Sequence, residues 1–129
     1  MTDKIYVIGH KSPDTDSVTS AITYANLKNA LGMKEAVPAA AGDINAETKF
    51  LLDHFKVPYP EKLTDATDKK VILVDHNEMA QAVDNLNMEN IVEIVDHHKI
   101  GGLATGKPIF FLNEPVGATG GIIANLYEM

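Results

Sequence analysis

Hydrophobic residues along this chain form short continuous runs that alternate with stretches at helical spacing. The continuous runs are rich in β-branched residues, which is typical of buried parallel strands. These runs predict strands at residues 5–8, 71–74 and 91–95. Weaker strands are predicted at residues 35–41 and 108–112, and Pro38 places the former at an edge or a bulge, because proline cannot donate to a sheet.

Two longer segments carry hydrophobic residues at helical spacing. The first helix begins at Asp16 or Ser17, which are good N-caps, and ends at Gly32. The second begins after Asn45, continues for about ten residues and ends before Val57 and Pro58. Shorter helices are predicted near residues 79–86 and over residues 117–129, the latter started by a glycine. Residues 59–70 are interpreted as a polar connection.

Strands that alternate with helices predict an α/β fold, a parallel sheet with helices on both faces. The 129 residues fit one domain of ordinary size, so we treat 1–129 as a single unit. In such sheets functional groups gather outside the carboxyl ends of the strands.

Composition narrows the possible partners. Eleven lysines, no arginine and eighteen acidic residues give a net charge of −7, which argues against a nucleic-acid partner. No apolar run approaches the roughly 18 residues that cross a bilayer, and no signal-peptide pattern opens the sequence, so we expect a cytoplasmic protein without a membrane partner. Because cysteine is absent, any metal site would use histidine and carboxylate.

Metal-capable side chains follow three of the predicted strands. They are His10 with Asp14 and Asp16, then Asp75 with His76, and finally Asp96 with His97 and His98. A parallel sheet would bring these strand ends to one edge, where so many ligands suit two divalent ions about 3.5–4 Å apart. Asp75 ends the most buried strand and is our choice for the bridging ligand. The residues alone therefore predict a binuclear phosphohydrolase.

Some of these residues also have a purely structural interpretation. Asp16 and Ser17 could serve as helix caps in addition to any ligation, and His76 and Glu78 could support ligands instead of binding metal. His54 is interpreted as a structural residue near the end of the second helix.

Four segments together resemble the successive motifs of family II, manganese-dependent, inorganic pyrophosphatases, which belong to the DHH phosphoesterase superfamily. The segments are residues 9–17, 74–78, 95–99 and 114–117. The match runs almost the whole length of the chain. It departs from the family at Ser12, where asparagine is common, and at residues 118–121, which are unusually rich in glycine.

The resemblance implies a role for each site residue. His10 and Asp14 would hold a first metal, Asp16 and His97 a second, and Asp75 would bridge them. His98 would face the substrate phosphate, and Asp96 would orient the histidine pair. The cofactors implied are two Mn²⁺ or Co²⁺ ions per active site, with Mg²⁺ arriving on pyrophosphate, and the family also forms homodimers.

The resemblance also implies that the chain is the amino-terminal part of a longer enzyme. Family members continue into a further strand with another metal-binding aspartate and then into a domain that clamps pyrophosphate. We therefore expect an incomplete DHH domain that is inactive alone. Two alternatives remain: a DHH phosphodiesterase acting on short oligonucleotides or cyclic dinucleotides, and a metal-binding module without catalysis.

Overall fold

The computed structural model describes residues 3–128, and within that range the strands form one parallel sheet. The strands are β1 (Ile5–Ile8), β2 (Ala36–Ala40), β3 (Glu61–Lys62), β4 (Lys70–Val74), β5 (Ile91–Asp96) and β6 (Phe110–Asn113). Their order is β3-β2-β1-β4-β5-β6, and every neighbouring pair is parallel. The predicted α/β class is confirmed.

The chain starts in the middle of the sheet, builds β2 and β3 on one side, and then returns to place β4 on the other side of β1. The direction of the strand order thus reverses between β1 and β4. Loops that leave two such strands diverge and open a crevice at their carboxyl ends, which is where α/β sheets bind ligands.

Two of the three α-helices in the described range form one layer on the sheet. The three helices are α1 (Thr15–Ala30), α2 (Ala46–His54) and α3 (Thr119–Tyr127), and the layer consists of α1 and α3. Ala21 and Tyr24 of α1, with Ile122 of α3, pack against sheet residues such as Val7 and Val74. Because these side chains are fully or almost fully buried, they fix the position of both helices over the central strands.

The opposite face of the sheet is covered by loops. Its core residues, among them Ile8 and Leu73, pack against Leu63, Ala66 and Val83. The helical part of this cover consists of two single-turn 3₁₀ helices, Met79–Gln81 and Met88–Asn90. The helix predicted near residues 79–86 is therefore reduced to its first turn.

Other details of the fold also differ from the predictions, and the boundaries of the predicted strands shift by up to two residues. Strand β2 lies inside the sheet instead of at its edge, but β3 pairs only with Ala39 and Ala40, so Pro38 has a strand partner on one side, Val7 of β1. Residues 59–70 include β3. Helix α3 begins at Thr119, and the predicted end of this helix at Met129 lies outside the described residues.

The helix caps show why the start of α1 was misplaced. The carboxylate of Asp14, and neither Asp16 nor Ser17, caps α1 by accepting the Ser17 backbone N–H at 2.8 Å. The predicted cap of α2 is confirmed, since Asn45 Oδ1 accepts the Thr48 backbone N–H at 2.8 Å.

In residues 3–128 every helix is too short or too polar to cross a bilayer.

Within the described residues the sheet ends at β3 and β6, whose outer edges could pair with another strand. The homodimer expected from the family resemblance stays a prediction.

A charged group is buried between α1 and β5. Glu93 is 6% exposed, and its carboxylate accepts hydrogen bonds from the Tyr24 hydroxyl at 2.6 Å and from Lys28 Nζ at 2.8 Å. Burial, followed by the contact with Glu93, raises the pKa of Tyr24 far above its ordinary value. The hydroxyl therefore stays protonated and donates to Glu93.

Replacing Lys28 with methionine is expected to lower the free energy of unfolding by about 3 kcal/mol, because the Glu93 carboxylate would keep its burial and lose its counter-ion. Denaturant unfolding measures this change. Lys62→Met is the matched control, since Lys62 forms an exposed pair with Asp43 and should change stability by less than about 1 kcal/mol. Equal effects of the two variants would contradict the role assigned to Lys28.

Candidate metal centre

The predicted ligands meet at the crevice between β1 and β4. His10 lies two residues after β1, Asp75 directly follows β4, and Asp96 is the last residue of β5. Because all three strands are parallel, their carboxyl ends place these side chains at one edge of the sheet, as predicted.

Asp75 occupies an unusual backbone position. Its φ is +65°, in the left-handed region, which aspartate tolerates better than most residues. Its N–H donates to Val95 O at 3.0 Å, which extends the β4–β5 pairing by one residue. The ring of His76 closes this turn, because Nδ1 donates to Val74 O at 2.9 Å across Asp75. The left-handed turn directs Asp75 out of the strand line and into the crevice.

The two oxygens of the Asp75 carboxylate contact different histidines. Oδ1 lies 2.9 Å from Nε2 of His97, and Oδ2 lies 3.3 Å from Nε2 of His10. The residue itself is almost fully buried. Asp75 therefore connects the loop after β1 to the loop after β5.

His10 forms one half of the site together with Asp14. Its Nδ1 donates to the carbonyl oxygen of Lys11 at 2.7 Å, which leaves Nε2 toward the carboxylates. Asp14 Oδ2 is 3.7 Å from that Nε2, while Asp14 Oδ1 caps α1. Asp14 thus combines helix capping with a free oxygen beside His10.

His97 forms the other half together with Asp16. Its Nδ1 donates to Val116 O at 3.0 Å, and its Nε2 lies 3.8 Å from Asp16 Oδ2. The Asp16 carboxylate in turn accepts the backbone N–H groups of Thr119 and Gly120, both at 3.0 Å. Asp16 therefore caps α3 instead of its own helix, and a carboxylate has enough lone pairs to do so and still bind a cation.

His98 lies beside His97 and is oriented by Asp96. The two rings are 4.1 Å apart, and Nδ1 of His98 donates to Asp96 Oδ1 at 2.7 Å. Asp96 is fully buried and also accepts the backbone N–H of His97 and the side-chain amide of Asn77, each at 2.7 Å. Since the His98 side chain is 46% exposed, its Nε2 is the nitrogen available to an incoming group.

The amide of Asn77 ties together the loops that carry the two halves. Its Nδ2 donates to Asp96 and to Lys99 O, and its Oδ1 accepts the Gly101 N–H at 3.0 Å. The side chain is buried, so this amide holds the His97–His98 segment at a fixed distance from Asp75.

The donor set fits divalent metal ions. Within residues 3–128, two groups of ligand atoms lie close enough to share an ion, His10–Asp14–Asp75 and Asp75–Asp96–His97–His98, and Asp75 belongs to both. Ligands bound at about 2.1 Å and at right angles are about 3.0 Å apart, near the separations measured around Asp75. Asp16 is outside both groups but adjoins the second through His97. Imidazole nitrogen with carboxylate oxygen suits first-row divalent ions such as manganese, cobalt or zinc, whereas magnesium prefers oxygen ligands alone.

The charged groups at the site shift one another's pKa values. A hydrogen bond to Asp75 raises the pKa of His10 to about 9, against the effect of partial burial. Burial alone would raise the pKa of Asp75, but hydrogen bonds from His10 and His97 hold it well below its usual range. Burial and the nearby Asp75 charge raise the pKa of Asp16. A bound cation would relieve this repulsion between carboxylates.

His76 is at the site but is not placed as a ligand. Its ring is fully buried, and Nε2 has no hydrogen-bond partner within residues 3–128. Burial lowers the pKa of His76 to about 4, so the ring is neutral near pH 7. His54 lies elsewhere, on the exposed side of α2 between Phe50 and Phe55.

The structure adds site residues that the sequence did not assign. Thr119, the first residue of α3, contacts Asp75, and the carbonyl of Val116, just before α3, contacts His97. Nothing in the spacing of Thr119 and Val116 along the sequence indicates these contacts. Asn77 lies inside a motif but had no role. The glycine-rich departure also has a structural correlate, since a Cβ on Gly120 would lie 3.3 Å from Asp16 Oδ1. Likewise Ser12 has φ +51°, a conformation in which asparagine is common.

The model of the DHH family N-terminal domain matches residues 4–129, nearly the entire chain. The chain belongs to the DHH family. This DHH domain is 73% identical over 129 residues to a manganese-dependent inorganic pyrophosphatase of Methanothrix thermoacetophila, covering 100% of the chain and 42% of that protein. It is 50% identical over 128 residues to a Clostridium acetobutylicum protein assigned as a manganese-dependent inorganic pyrophosphatase, covering 98% of the chain and 41% of that protein.

A solved structure gives the same family. The DHH domain superimposes with a TM-score of 0.83 and 46% identity on a Methanococcus jannaschii protein assigned to the family II inorganic pyrophosphatases. The match covers 95% of this chain and 38% of the other. The resemblance drawn from the motifs is confirmed, and the chain spans about two fifths of the length of these relatives.

The metal-free DHH domain is expected to lose stability on both sides of pH 6.5. From 6.5 to about 9 folded His10 holds a proton that the unfolded chain has released, so stability falls as pH rises. Between pH 6.5 and about 4, His76 binds a proton in the unfolded chain but not in the folded domain, so stability falls as the pH drops. Each loss should be roughly 1–3 kcal/mol, since partial exposure of His10 screens its share.

Denaturant unfolding in a metal chelator at several pH values measures both losses. His10→Gln should flatten the alkaline side and reduce the acidic side only slightly, because burial is the largest cause of the low pKa of His76 and the His10 charge a smaller one. An alkaline loss that persists in this variant would mean that His10 is not its source.

Proposed function

We propose that this DHH domain is the metal-binding part of a manganese-dependent inorganic pyrophosphatase, which hydrolyses pyrophosphate to two phosphates. The observation that carries the proposal is that Asp75 divides its two carboxylate oxygens between two histidine–aspartate pairs. A carboxylate in that position can bridge two cations, and binuclear centres of this kind are common in phosphate hydrolysis.

In this proposal each half of the site holds one ion. His10 and Asp14 would hold the first ion, Asp16 and His97 would hold the second, and Asp75 would serve both. The 3.7 and 3.8 Å separations within the pairs are wider than the contacts to Asp75, and two ligand atoms each about 2.1 Å from one ion can lie that far apart. The similarity to manganese-dependent relatives supports manganese as the resident metal.

When bound, the ions would stabilise charge on the phosphate oxygens and lower the pKa of an attacking water molecule. The protein supplies orientation and charge. Asp96 keeps a proton on Nδ1 of His98, so that Nε2 of that ring points outward toward a phosphate oxygen. Asn77 and Val116 O hold His98 and His97 in place, which reduces the reorganisation needed during the reaction.

The groups that grip pyrophosphate are proposed to lie outside these 129 residues. The relatives are more than twice as long as the matched segment, and the chain contains no arginine, the side chain best suited to bidentate phosphate binding. The DHH domain alone would then bind metal and show little turnover. A homodimer and Mg²⁺ bound to the substrate remain part of the expectation from the family.

The unaltered domain is expected to bind two Mn²⁺ ions, or one strongly and one weakly. Asp75→Asn should lower the affinity for both ions by more than about 100-fold. Replacing a ligand should cost more affinity than replacing a residue that supports a ligand, for which the loss is typically about 10–100-fold. Isothermal calorimetry measures both affinities. Asp53→Asn on the exposed side of α2 is the matched control and should bind as the unaltered domain does. Failure of the unaltered domain to bind Mn²⁺ would overturn the proposal.

A chimera tests the substrate. Residues 1–129 of this chain would replace the matching segment of the Methanothrix relative, to which they are 73% identical. The chimera is expected to hydrolyse pyrophosphate with Mn²⁺, and Asp75→Asn in the chimera should reduce kcat at least about 100-fold. Phosphate release and dinucleotide cleavage would be assayed in parallel.

The outcomes separate the three functions. Preference for a cyclic or linear dinucleotide would favour a phosphodiesterase over a pyrophosphatase. Metal binding with no hydrolysis of either substrate, while the intact relative is active, would favour a non-catalytic module.

A further inference from the structure

We infer that the side-chain hydroxyls of Ser17 and Thr119 orient the Asp75 carboxylate, each fixing the oxygen that serves one of the two proposed ion positions. The inference rests on the proposed function, because it concerns the same carboxylate. Ser17 and Thr119 are positioning residues, since they act through Asp75.

Each hydroxyl contacts a different oxygen of Asp75. Ser17 Oγ donates to Oδ2 at 3.1 Å, and Thr119 Oγ1 donates to Oδ1 at 3.3 Å. Both residues are fully buried, so water does not compete for these contacts. The oxygen facing His10 is therefore the one held by Ser17, and the oxygen facing His97 is the one held by Thr119.

The Ser17 hydroxyl has a defined direction. The backbone N–H of His10 donates to Ser17 Oγ at 3.3 Å, which uses a lone pair of that oxygen and leaves its proton for Asp75. Gly9 makes room for the arrangement, because a Cβ at that position would lie 2.4 Å from Ser17 Oγ. The glycine that ends the first hydrophobic run thus has a specific purpose at the site.

Thr119 connects Asp75 to Asp16. Its hydroxyl donates to Asp75, and its backbone N–H donates to Asp16 Oδ2 at 3.0 Å. Removing the hydroxyl by substitution to valine leaves the backbone contact and the side-chain volume in place. The two contributions of Thr119 can therefore be separated.

The hydroxyls become more important once an ion is bound. Nε2 of His10 and Nε2 of His97 also lie beside the Asp75 carboxylate, at 3.3 and 2.9 Å. A histidine that binds a metal through Nε2 presents a lone pair there and donates no hydrogen bond to Asp75 from that nitrogen. Among the side chains that contact Asp75 within residues 3–128, Ser17 and Thr119 donate through hydroxyl groups. A bound cation would not displace these two donors.

The division of the two oxygens predicts two separate effects. Losing the Ser17 hydroxyl should lower the affinity for the ion beside His10. Losing the Thr119 hydroxyl should lower the affinity for the ion beside His97. Removing a residue that supports a metal ligand typically weakens binding about 10- to 100-fold. General loosening of the fold would instead weaken both ions.

The experiment uses two single-ion backgrounds of the 129-residue domain. His97→Ala keeps the His10 position, and His10→Ala keeps the His97 position. Ser17→Ala and Thr119→Val are introduced into each background. The electron paramagnetic resonance signal of free Mn²⁺ gives the affinity, and denaturant unfolding in chelator gives the stability of each metal-free variant.

In the His97→Ala background, Ser17→Ala should weaken Mn²⁺ binding at least about 10-fold, and Thr119→Val should change it less than about threefold. In the His10→Ala background the two effects should exchange. Thr119→Ser should restore the affinity lost in Thr119→Val, because it restores the hydroxyl. Thr105→Val is the control, since the Thr105 hydroxyl donates to a loop carbonyl away from Asp75.

Four results would overturn the inference. Unchanged affinity in both hydroxyl variants, equal weakening in both backgrounds, or failure of Thr119→Ser to rescue would each contradict it and leave the proposed function standing. Absence of Mn²⁺ binding by the unaltered domain would overturn the proposed function and the inference together. If Ser17→Ala does not fold, the Thr119 variants decide alone.

Discussion

The site depends on one carboxylate that is held in a left-handed turn and shared between two loops. Asp75 follows the buried strand β4, and its φ of +65° turns it away from the strand direction. The surrounding structure determines this conformation, because the His76 ring clips the turn and the Asp75 N–H continues the pairing with β5. Strain of this kind persists where neighbouring contacts over-determine the backbone, and such positions concentrate at functional sites.

The sheet topology explains why the other side chains can reach that carboxylate. The reversal of strand order between β1 and β4 separates the following loops and leaves Asp75 between them. The loop after β1 brings His10 and Asp14 from one side, and the loop after β5 brings His97 from the other. Hydrogen bonds to main-chain carbonyls fix both imidazoles, so the two halves differ in sequence but use the same device.

Much of this arrangement could be predicted, because strong hydrophobic runs end directly at the chemical groups. Residues 71–74 and 91–95 are short, mainly apolar runs rich in β-branched residues, which favours buried strands and places Asp75 and Asp96 at strand ends. The cap of α1 could not be predicted as easily, since Asp14, Asp16 and Ser17 are all suitable and only the docking of α3 assigns Asp16 elsewhere. Contacts such as Thr119 to Asp75 span 44 residues and depend on packing that local patterns do not encode.

The capping of α3 by Asp16 would link the proposed metal binding to local unfolding. A helix of nine residues is marginal by itself, and the carboxylate that satisfies its first amides belongs to a residue 103 positions earlier in the chain. Whenever α3 opens, Asp16 is released and the amides of Thr119 and Gly120 become free to exchange with solvent. By thermodynamic linkage, any cation that prefers the assembled site must also slow that exchange, so the amino-terminal end of α3 acts as an internal reporter of occupancy.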